Sequence, residues 1–207
     1  MSKTNLVVDF CSYQAAKFAV EHWHYSGVIP AGKTVKIGVW EGGKFIGAVI
    51  YSRGANNNIG KPYNLKQTEV CELVRVALTS HVAPVSQIVS MAQKLLIATS
   101  PGLRLIVSYA DPEQGHNGAI YQAMNWLYVG AVGSTTLYLH RGQYVHQRTA
   151  SSFYKSIEGL PSKKLPNKHK YLYPLDRAMR RQIEPLAKPY PKKLDMPPVN
   201  GDNLATS

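Results

Sequence analysis

Five side chains in two parts of the sequence have the chemistry needed to move a proton. Asp111 follows an alternating apolar run and precedes a proline, so it stands at a predicted strand end where a carboxylate can act as a general base. Ser108 and Tyr121 lie on either side of it in the sequence, and His24 with Tyr25 follows an early amphipathic segment. We expect these five residues to be catalytic. The alternatives are that Asp111 only starts a turn, and that the His-Tyr pair caps a helix or fills the core.

A second set of residues has the chemistry to hold a substrate. Aromatic rings can stack on a nucleic-acid base, and cationic groups can pair with phosphate. A tyrosine in a sheet or helix is usually part of the core, however, and a serine there is equally a hydroxyl that only satisfies its own hydrogen bonds. The substrate-binding candidates are Tyr51, Ser52, Arg53, Tyr109, His116 and Asn125.

Hydrophobic periodicity predicts the elements that would position these residues. Helices and strands interleave along the chain, so the fold class is α/β. A long polar loop, rich in Asn and Gly, follows the second strand of an early hairpin and has a length typical of functional or mobile loops. The predicted elements are a helix over 13–25, a hairpin of 35–40 and 45–51, a strand over 70–79, a long helix from 85 that ends before Pro101, a strand over 103–109, a helix after Asn117 that extends to Leu127, and a hairpin of 135–140 and 143–148 that closes the sheet.

The charge balance predicts a polyanionic partner. The chain of 207 residues has a formal net charge of +12, and residues 141–207 hold 13 Lys and Arg against 5 Asp and Glu. Such an excess points to nucleic acid, with a membrane surface as the weaker alternative. A hydrophobic content of 44% still requires a folded core.

The composition changes near residue 155, where prolines alternate with lysines and arginines. We therefore predict a catalytic domain over 1–154 and an extended basic arm over 155–207, with a short helix near 175–183 and disorder in the last ten residues. The alternative for the arm is a solvated tail that only aids solubility. The predicted DNA-binding residues are Lys163, Lys164, Lys168, Lys170, Arg177, Arg180 and Arg181.

Cysteine usage and hydropathy predict a cytoplasmic location. Cys11 and Cys71 match neither a disulfide framework nor a zinc site built on close cysteine pairs. The N-terminal segment lacks a signal-peptide pattern, and no apolar run approaches ~18 residues. We expect a protein that is neither secreted nor membrane-spanning.

Four separated segments, in the same order, resemble the Mom family of DNA-modification proteins over roughly residues 10 to 175. They are residues 22–27, 47–55, 72–77 and 108–126. The resemblance implies a fold similar to the GCN5-related N-acetyltransferases, with a mixed central sheet flanked by helices and, here, a basic Pro-rich C-terminal extension. It also implies transfer of a carbamoylmethyl group to N6 of adenine in double-stranded DNA, which protects phage DNA from restriction in the bacterial host cytoplasm.

The resemblance also suggests acetyl-CoA and iron as cofactors. Acyl-CoA enzymes of that fold hold the pyrophosphate at a Gly-rich turn before the long helix, but residues 79–86 contain no glycine, and Pro84 removes one N–H donor. His24, Tyr25 and Asp111 are able iron ligands, although no compact ligand spacing supports a metal. The sequence therefore leaves both cofactor and metal unassigned.

Chemistry at adenine sets two demands on the site. The N6 amine is a weak nucleophile, so it needs a proton acceptor, and reaching it in a duplex requires extruding the base. Two other functions stay open, namely an N-acyltransferase acting on a protein or small molecule and a non-catalytic DNA-binding protein. An S-adenosylmethionine-dependent methyltransferase is disfavoured, because no Gly-rich loop follows an early strand.

Overall fold

The computed structural model describes residues 5–54, 58–133 and 135–191. Ten strands and five helices follow one another within these ranges. They are β1 (Leu6–Phe10), α1 (Tyr13–Trp23), β2 (Thr34–Glu41), β3 (Lys44–Ser52), β4 (Val70–Leu78), α2 (Val85–Thr99), β5 (Leu105–Ala110), α3 (Ala119–Ala123), β6 (Leu127–Val132), β7 (Thr136–His140), β8 (Gln143–His146), α4 (Gln147–Phe153), β9 (Ser162–Lys164), β10 (Lys168–Pro174) and α5 (Arg177–Ile183).

Seven strands form the central sheet in the order β1-β2-β3-β4-β5-β10-β6. Every neighbouring pair is antiparallel except β4 and β5, which are parallel because α2 carries the chain back between them. The remaining strands form a separate three-stranded sheet in the order β8-β7-β9.

Helices cover both faces of the central sheet. On one face α2 packs through the apolar stripe that the sequence predicted, with Ile88, Val89 and Leu96 at most 2% exposed. On the other face α1 covers β3 and β4, and α5 buries Met179 and Ile183 near β10. No helix in the described ranges combines the length and apolar character needed to cross a bilayer.

The N-cap and the buried face of α1 fix where this helix begins and ends, and so fix the position of His24, the residue that follows it. The Ser12 hydroxyl accepts a hydrogen bond from the Ala15 N–H at 3.1 Å, so the predicted cap is present. Ala16 and Val20 are fully buried against the sheet. The helix ends at Trp23, and the next residue, His24, has extended backbone.

The structure corrects the predicted arm. Residues Lys168–Pro174 form β10, which lies inside the central sheet between β5 and β6, and Tyr171 and Leu172 are fully buried there. The proline and lysine content concealed this strand, because its apolar side chains lie between cations. Residues 192–207, which include the predicted disordered tail, lie outside the described residues, as do residues 55–57 of the polar loop.

Two other predicted elements differ from the structure. The hairpin of β7 and β8 forms as predicted but pairs with β9 instead of closing the central sheet. The helix after Asn117 ends at Ala123, because Asn125 turns the chain with a left-handed backbone (φ 56°), and Leu127 begins β6. The predicted helix, hairpin and strands before residue 110 are confirmed, whereas β1 was not predicted.

Candidate active site

The main cleft opens where the two parallel strands separate. Pairing of β4 with β5 runs from Val70 opposite Leu105 to Leu73 opposite Ser108 and then stops, although β4 continues to residue 78. The gap is a cleft of about 400 Å³ that reaches from α2 to the loop before α3. It lies at the carboxyl end of β5, where open α/β sheets place ligands.

A β-bulge in β4 turns a cation into this cleft. Ile50 pairs with Arg75 and the next residue of β3 pairs with Leu73, so Val74 is extra in the ladder. Arg75 lines the cleft, its Nη1 donates to the Val74 carbonyl at 2.7 Å, and its Nε is buried with no hydrogen-bond partner among the described residues. In a regular ladder Ile50 would pair with Val74, so the bulge moves Arg75 to the other face of β4.

The Ser108 hydroxyl links the two strands to α3. It donates to the Leu73 carbonyl at 2.8 Å and lies 2.7 Å from the Tyr121 hydroxyl. Because the single serine proton goes to the carbonyl, Tyr121 is the donor in the second bond. Ser108 is fully buried, and burial raises the pKa of Tyr121 to about 12, so the phenol keeps its proton at neutral pH.

The His24 ring is neutral with a defined tautomer. The Ser26 backbone N–H donates to His24 Nδ1 at 3.1 Å, so Nδ1 is the acceptor and Nε2 carries the hydrogen. Burial, with further contributions from Arg75 and His116, lowers the pKa of His24 to about 4. At neutral pH this ring therefore offers an N–H donor without a positive charge.

Tyr25 and His116 stand beside this ring in the cleft. The Tyr25 ring stacks on His24 at 4.3 Å and meets the His116 ring edge-on at 5.6 Å. Burial lowers the pKa of His116, and the Asp111 carboxylate partly opposes this shift. His116 is therefore neutral at pH 7 and can accept a proton. Tyr25 is 53% exposed and lies at the cleft entrance.

Asp111 is close to the site but is not among the residues that line the cleft. Its carboxylate accepts a hydrogen bond from the Glu113 N–H at 3.1 Å and pairs with Lys168 Nζ at 2.9 Å. Its backbone carbonyl also accepts the N–H of His116 at 3.1 Å. The structure therefore brings Ser108, Tyr121, His24 and Tyr25 together and places Asp111 behind the loop that carries His116.

The substrate-binding candidates separate into three places. Tyr109 and His116 line the main cleft. Tyr51, which is 1% exposed, lines a second cavity of about 330 Å³ with Ser52 and Arg53, near the C-terminal end of α2. Asn125 is exposed in the turn after α3, away from both cavities. Their sequence spacing gave no sign of this separation. His81 lines the main cleft and was not predicted.

Several predicted DNA-binding cations have partners within the protein. Lys163 pairs with Glu113 at 3.2 Å, and Lys168 pairs with Asp111, so both hold the loop beside the cleft. Lys170 is half-buried, with Nζ 5.1 Å from the Tyr63 ring centre and 5.8 Å from that of Tyr109, and burial lowers its pKa. Arg180 lies 3.8 Å from Glu184, whereas Lys164, Arg177 and Arg181 are exposed.

The segment before α2 does not fit an acyl-CoA pyrophosphate. The Val82 and Ala83 N–H groups, which lie just before α2, each donate at 2.8 Å to the Glu41 carboxylate. These bonds lower the pKa of Glu41, so it stays anionic at neutral pH. An incoming phosphate would meet occupied donors and a negative charge. A carboxylate of the chain itself thus occupies two backbone donors just before α2.

Two of the three predicted iron ligands already have hydrogen-bond or ion-pair partners within the protein. No group of three His, Cys, Asp or Glu side chains within the described ranges is arranged to hold a metal ion. Asp111, the carboxylate of the predicted trio, is engaged by Lys168, and His24 Nδ1 is engaged by Ser26.

Mixed strand directions, helices on both faces and a cleft between two separating parallel strands define an acetyltransferase-like fold, as predicted. The chain is similar to FeeM, an N-acyl amino acid synthase from uncultured soil microbes, with a TM-score of 0.50 and 13% identity over 87% of this chain and 95% of that one. A probable acetyltransferase of the GNAT family from Chromobacterium violaceum has a TM-score of 0.47 and 11% identity over 84% of each chain. These likenesses concern the fold.

Within that class, the sequence identifies the family. The chain belongs to the Mom protein family, whose model matches residues 5–192. It is 26% identical over 151 residues to the Methylcarbamoylase mom of Escherichia phage Mu. That match covers 71% of this chain and 62% of the phage Mu protein, so the chain spans less than two thirds of the length of this relative.

Proposed function

We propose that this protein is a transferase that adds a carbamoylmethyl group to N6 of adenine in double-stranded DNA, and so protects phage DNA from restriction in the host cytoplasm. One observation carries the proposal. The Ser108–Tyr121 pair, His24, Tyr25 and His116 come from segments far apart in sequence, yet all of them line or support one cleft in a member of the Mom family.

The size and lining of the cleft suit a single extruded base. A volume of about 400 Å³ lies in the usual range for small-ligand pockets. Tyr25 and His24 present stacked rings near the entrance, where they can replace the stacking that a flipped adenine loses. Such replacement offsets a cost of a few kcal/mol for leaving the duplex.

Tyr121 positions the amine without acting as a base. Its proton is donated to Ser108, and its high pKa keeps the phenol neutral, so its oxygen has a free lone pair for one N6 hydrogen. A hydrogen bond of this kind aligns the nitrogen lone pair with the carbon of the incoming group. Alignment of reacting atoms is itself a large source of rate enhancement.

His116 is the proposed proton acceptor, and Asp111 acts through it. As N6 bonds to the methylene carbon of the donor, the bond from that carbon to its carrier breaks, and the amine proton passes to neutral His116. The Asp111 charge then stabilises the imidazolium, as its effect on the His116 pKa indicates. General-base help on this scale contributes ~10²–10⁴-fold.

Arg75 and His24 suit the amide oxygen of the transferred group. The Arg75 Nε has no partner among the described residues, and His24 offers Nε2–H as a neutral donor. Two donors in a partly buried cleft can hold the amide oxygen in one position by hydrogen bonds, and so orient the methylene carbon towards N6. In this arrangement Tyr121 and His116 contact the adenine, whereas Arg75 and His24 contact the carbamoylmethyl group.

Mass spectrometry of nucleosides from cells that express the chain tests this function. We expect a deoxyadenosine adduct with the wild-type chain and with Tyr13→Phe, a matched change at an exposed tyrosine. Tyr121→Phe should remove most of the adduct. A folded wild-type protein that leaves deoxyadenosine unmodified would overturn the proposal, and an acylated protein or small molecule in its place would favour the N-acyltransferase alternative.

A further inference from the structure

The small three-stranded sheet has a composition unlike the rest of the protein. No Asp or Glu occurs between Glu113 and Glu158, a stretch that contains β6 to β8 and α4. No residue of β7, β8 or β9 is fully buried, and Tyr144 and Phe153 are 49% and 60% exposed. Exposed aromatic rings in an acid-free, cationic region are the usual features of a nucleic-acid surface.

The β7–β8 hairpin ends in an unusual turn. Leu139 pairs with Tyr144 and His140 pairs with Gln143, so Arg141 and Gly142 alone form the connection, with φ of 49° and 82°. Such two-residue turns favour Asn or Gly at the first position, because other side chains are strained at positive φ. An exposed arginine at that position costs stability, and it projects the cation from the end of the ribbon.

The hairpin is also connected to the main cleft. β9 pairs with β7 on the side opposite β8, and Lys163 of β9 forms the 3.2 Å ion pair with Glu113, two residues after Asp111. This ion pair therefore joins the sheet of the hairpin to the loop that carries His116. Among the residues that the structure describes, β8 is the outer strand of this sheet and pairs only with β7.

From these features we infer that the β7–β8 hairpin is a DNA-reading ribbon that enters the major groove of a duplex with Arg141 leading and Tyr144 beside it. The inference rests on the proposed function and adds the surface that holds the duplex. The major groove of B-form DNA is wide enough for a two-stranded ribbon, whereas that of A-form RNA is too deep and narrow. Arginine at the tip can pair with guanine or with phosphate.

A variant that favours the turn provides the test. Arg141→Asn supplies the residue preferred at a left-handed turn position, and Tyr144→Thr keeps a good strand former, so the double variant should melt at or above the wild-type temperature. The matched control is the double variant Lys94→Gln and Tyr13→Thr. It changes an exposed lysine on α2 and an exposed tyrosine on α1. Binding of the full chain to a labelled DNA duplex is measured by fluorescence anisotropy across a salt series.

We expect the hairpin variant to bind the duplex at least about tenfold more weakly than the control at about 0.1 M salt, with a salt slope smaller by about one charge. Equal affinity of the two variants, or equal binding of an RNA duplex of the same sequence, would overturn the inference. If wild-type cells contain the adduct while the variants bind alike, only the ribbon is wrong. If duplex binding depends on the hairpin but no adduct forms, the ribbon stands and the proposed reaction is wrong.

Discussion

The Tyr121 hydroxyl donates a hydrogen bond to the Ser108 hydroxyl over a distance of 2.7 Å. This bond joins α3 to the point where the pairing of β4 with β5 ends. Its direction is fixed, because the Ser108 proton is already given to the Leu73 carbonyl. Because Tyr121 gives its own proton to Ser108, its oxygen can only accept a hydrogen bond from a further group. This relationship distinguishes a residue that positions an amine from one that removes its proton.

Replacement of Tyr121 by Phe should separate activity from stability. The change removes one buried hydroxyl but leaves Ser108 bonded to Leu73, so we expect a loss of about 1 kcal/mol in the free energy of unfolding. The deoxyadenosine adduct should fall by about 10²-fold, the scale of losing one contact that aligns the reacting nitrogen. Urea unfolding and nucleoside mass spectrometry measure the two effects. Near-normal adduct with a large loss of stability would make Tyr121 a purely structural residue.

Acid should destabilise the protein through His24. Its pKa falls from the usual 6.5 to about 4 on folding, so the unfolded chain binds the extra proton between these values. The stability that neutral His24 contributes is complete above about pH 6.5 and is lost as the pH falls towards 4. Because the ring keeps some solvent contact, we expect an effect on the order of 1 kcal/mol.

Urea midpoints at about pH 7 and about pH 5 measure this effect, with His24→Gln as the comparison. The variant should have a smaller difference between the two conditions. It should not lose the difference entirely, since burial also lowers the pKa of His116 and His169. An identical pH response in the variant would contradict the assignment to His24.

Acetyl-CoA should not bind in the manner of an acyl-CoA enzyme. Glu41 occupies the Val82 and Ala83 N–H groups, so we expect no saturable heat on titration of the wild-type chain with acetyl-CoA up to about 1 mM. Glu41→Ala frees both donors and removes the negative charge, and it should gain weak affinity for the coenzyme. Glu21→Ala, on the exposed face of α1, is the control. Micromolar binding by the wild type that Glu41→Ala leaves unchanged would refute this account.

Asp111 and Lys168 should contribute unequally although they form one ion pair. Asp111→Asn keeps an acceptor for the Glu113 N–H, because asparagine caps as well as aspartate does, but it removes the charge behind His116. We expect adduct formation to fall by about 10²-fold with little change in melting temperature. Lys168→Met leaves the carboxylate in place and should reduce the adduct less. A larger effect of the lysine would mean that the pair only fixes the loop.

The sequence predicted most of the central fold because its signals are local. The α2 stripe, the Ser12 cap and the hairpin of β2 and β3 each depend on residues within one element, and all are present. β10 was missed because its buried Tyr171 and Leu172 lie among lysines, and only burial between two other strands reveals its role. A charge-rich segment therefore does not exclude a central strand when its lysines lie at one end of the strand and its apolar residues lie in the middle.

The site was predicted less completely, since its members depend on contacts between distant segments. Tyr121, His24 and Tyr25 line one cleft and Ser108 is hydrogen-bonded to Tyr121, while their catalytic roles stay a prediction. Tyr51 lines the second cavity together with Ser52 and Arg53, and the motif that contains these residues does not indicate which cavity they line. Arg75 enters the cleft through a bulge, and no pattern in β4 signals that extra residue.

The position of β10 in the chain determines when the central sheet can be completed during synthesis. During synthesis, β5 and β6 emerge early but have no partner between them until translation has passed residue 174. Until then the growing chain exposes two unsatisfied strand edges, which are prone to aggregate and are typical substrates for chaperones. A chain that stops before residue 168 therefore lacks the strand that joins β5 to β6, and the sheet beside the cleft stays incomplete.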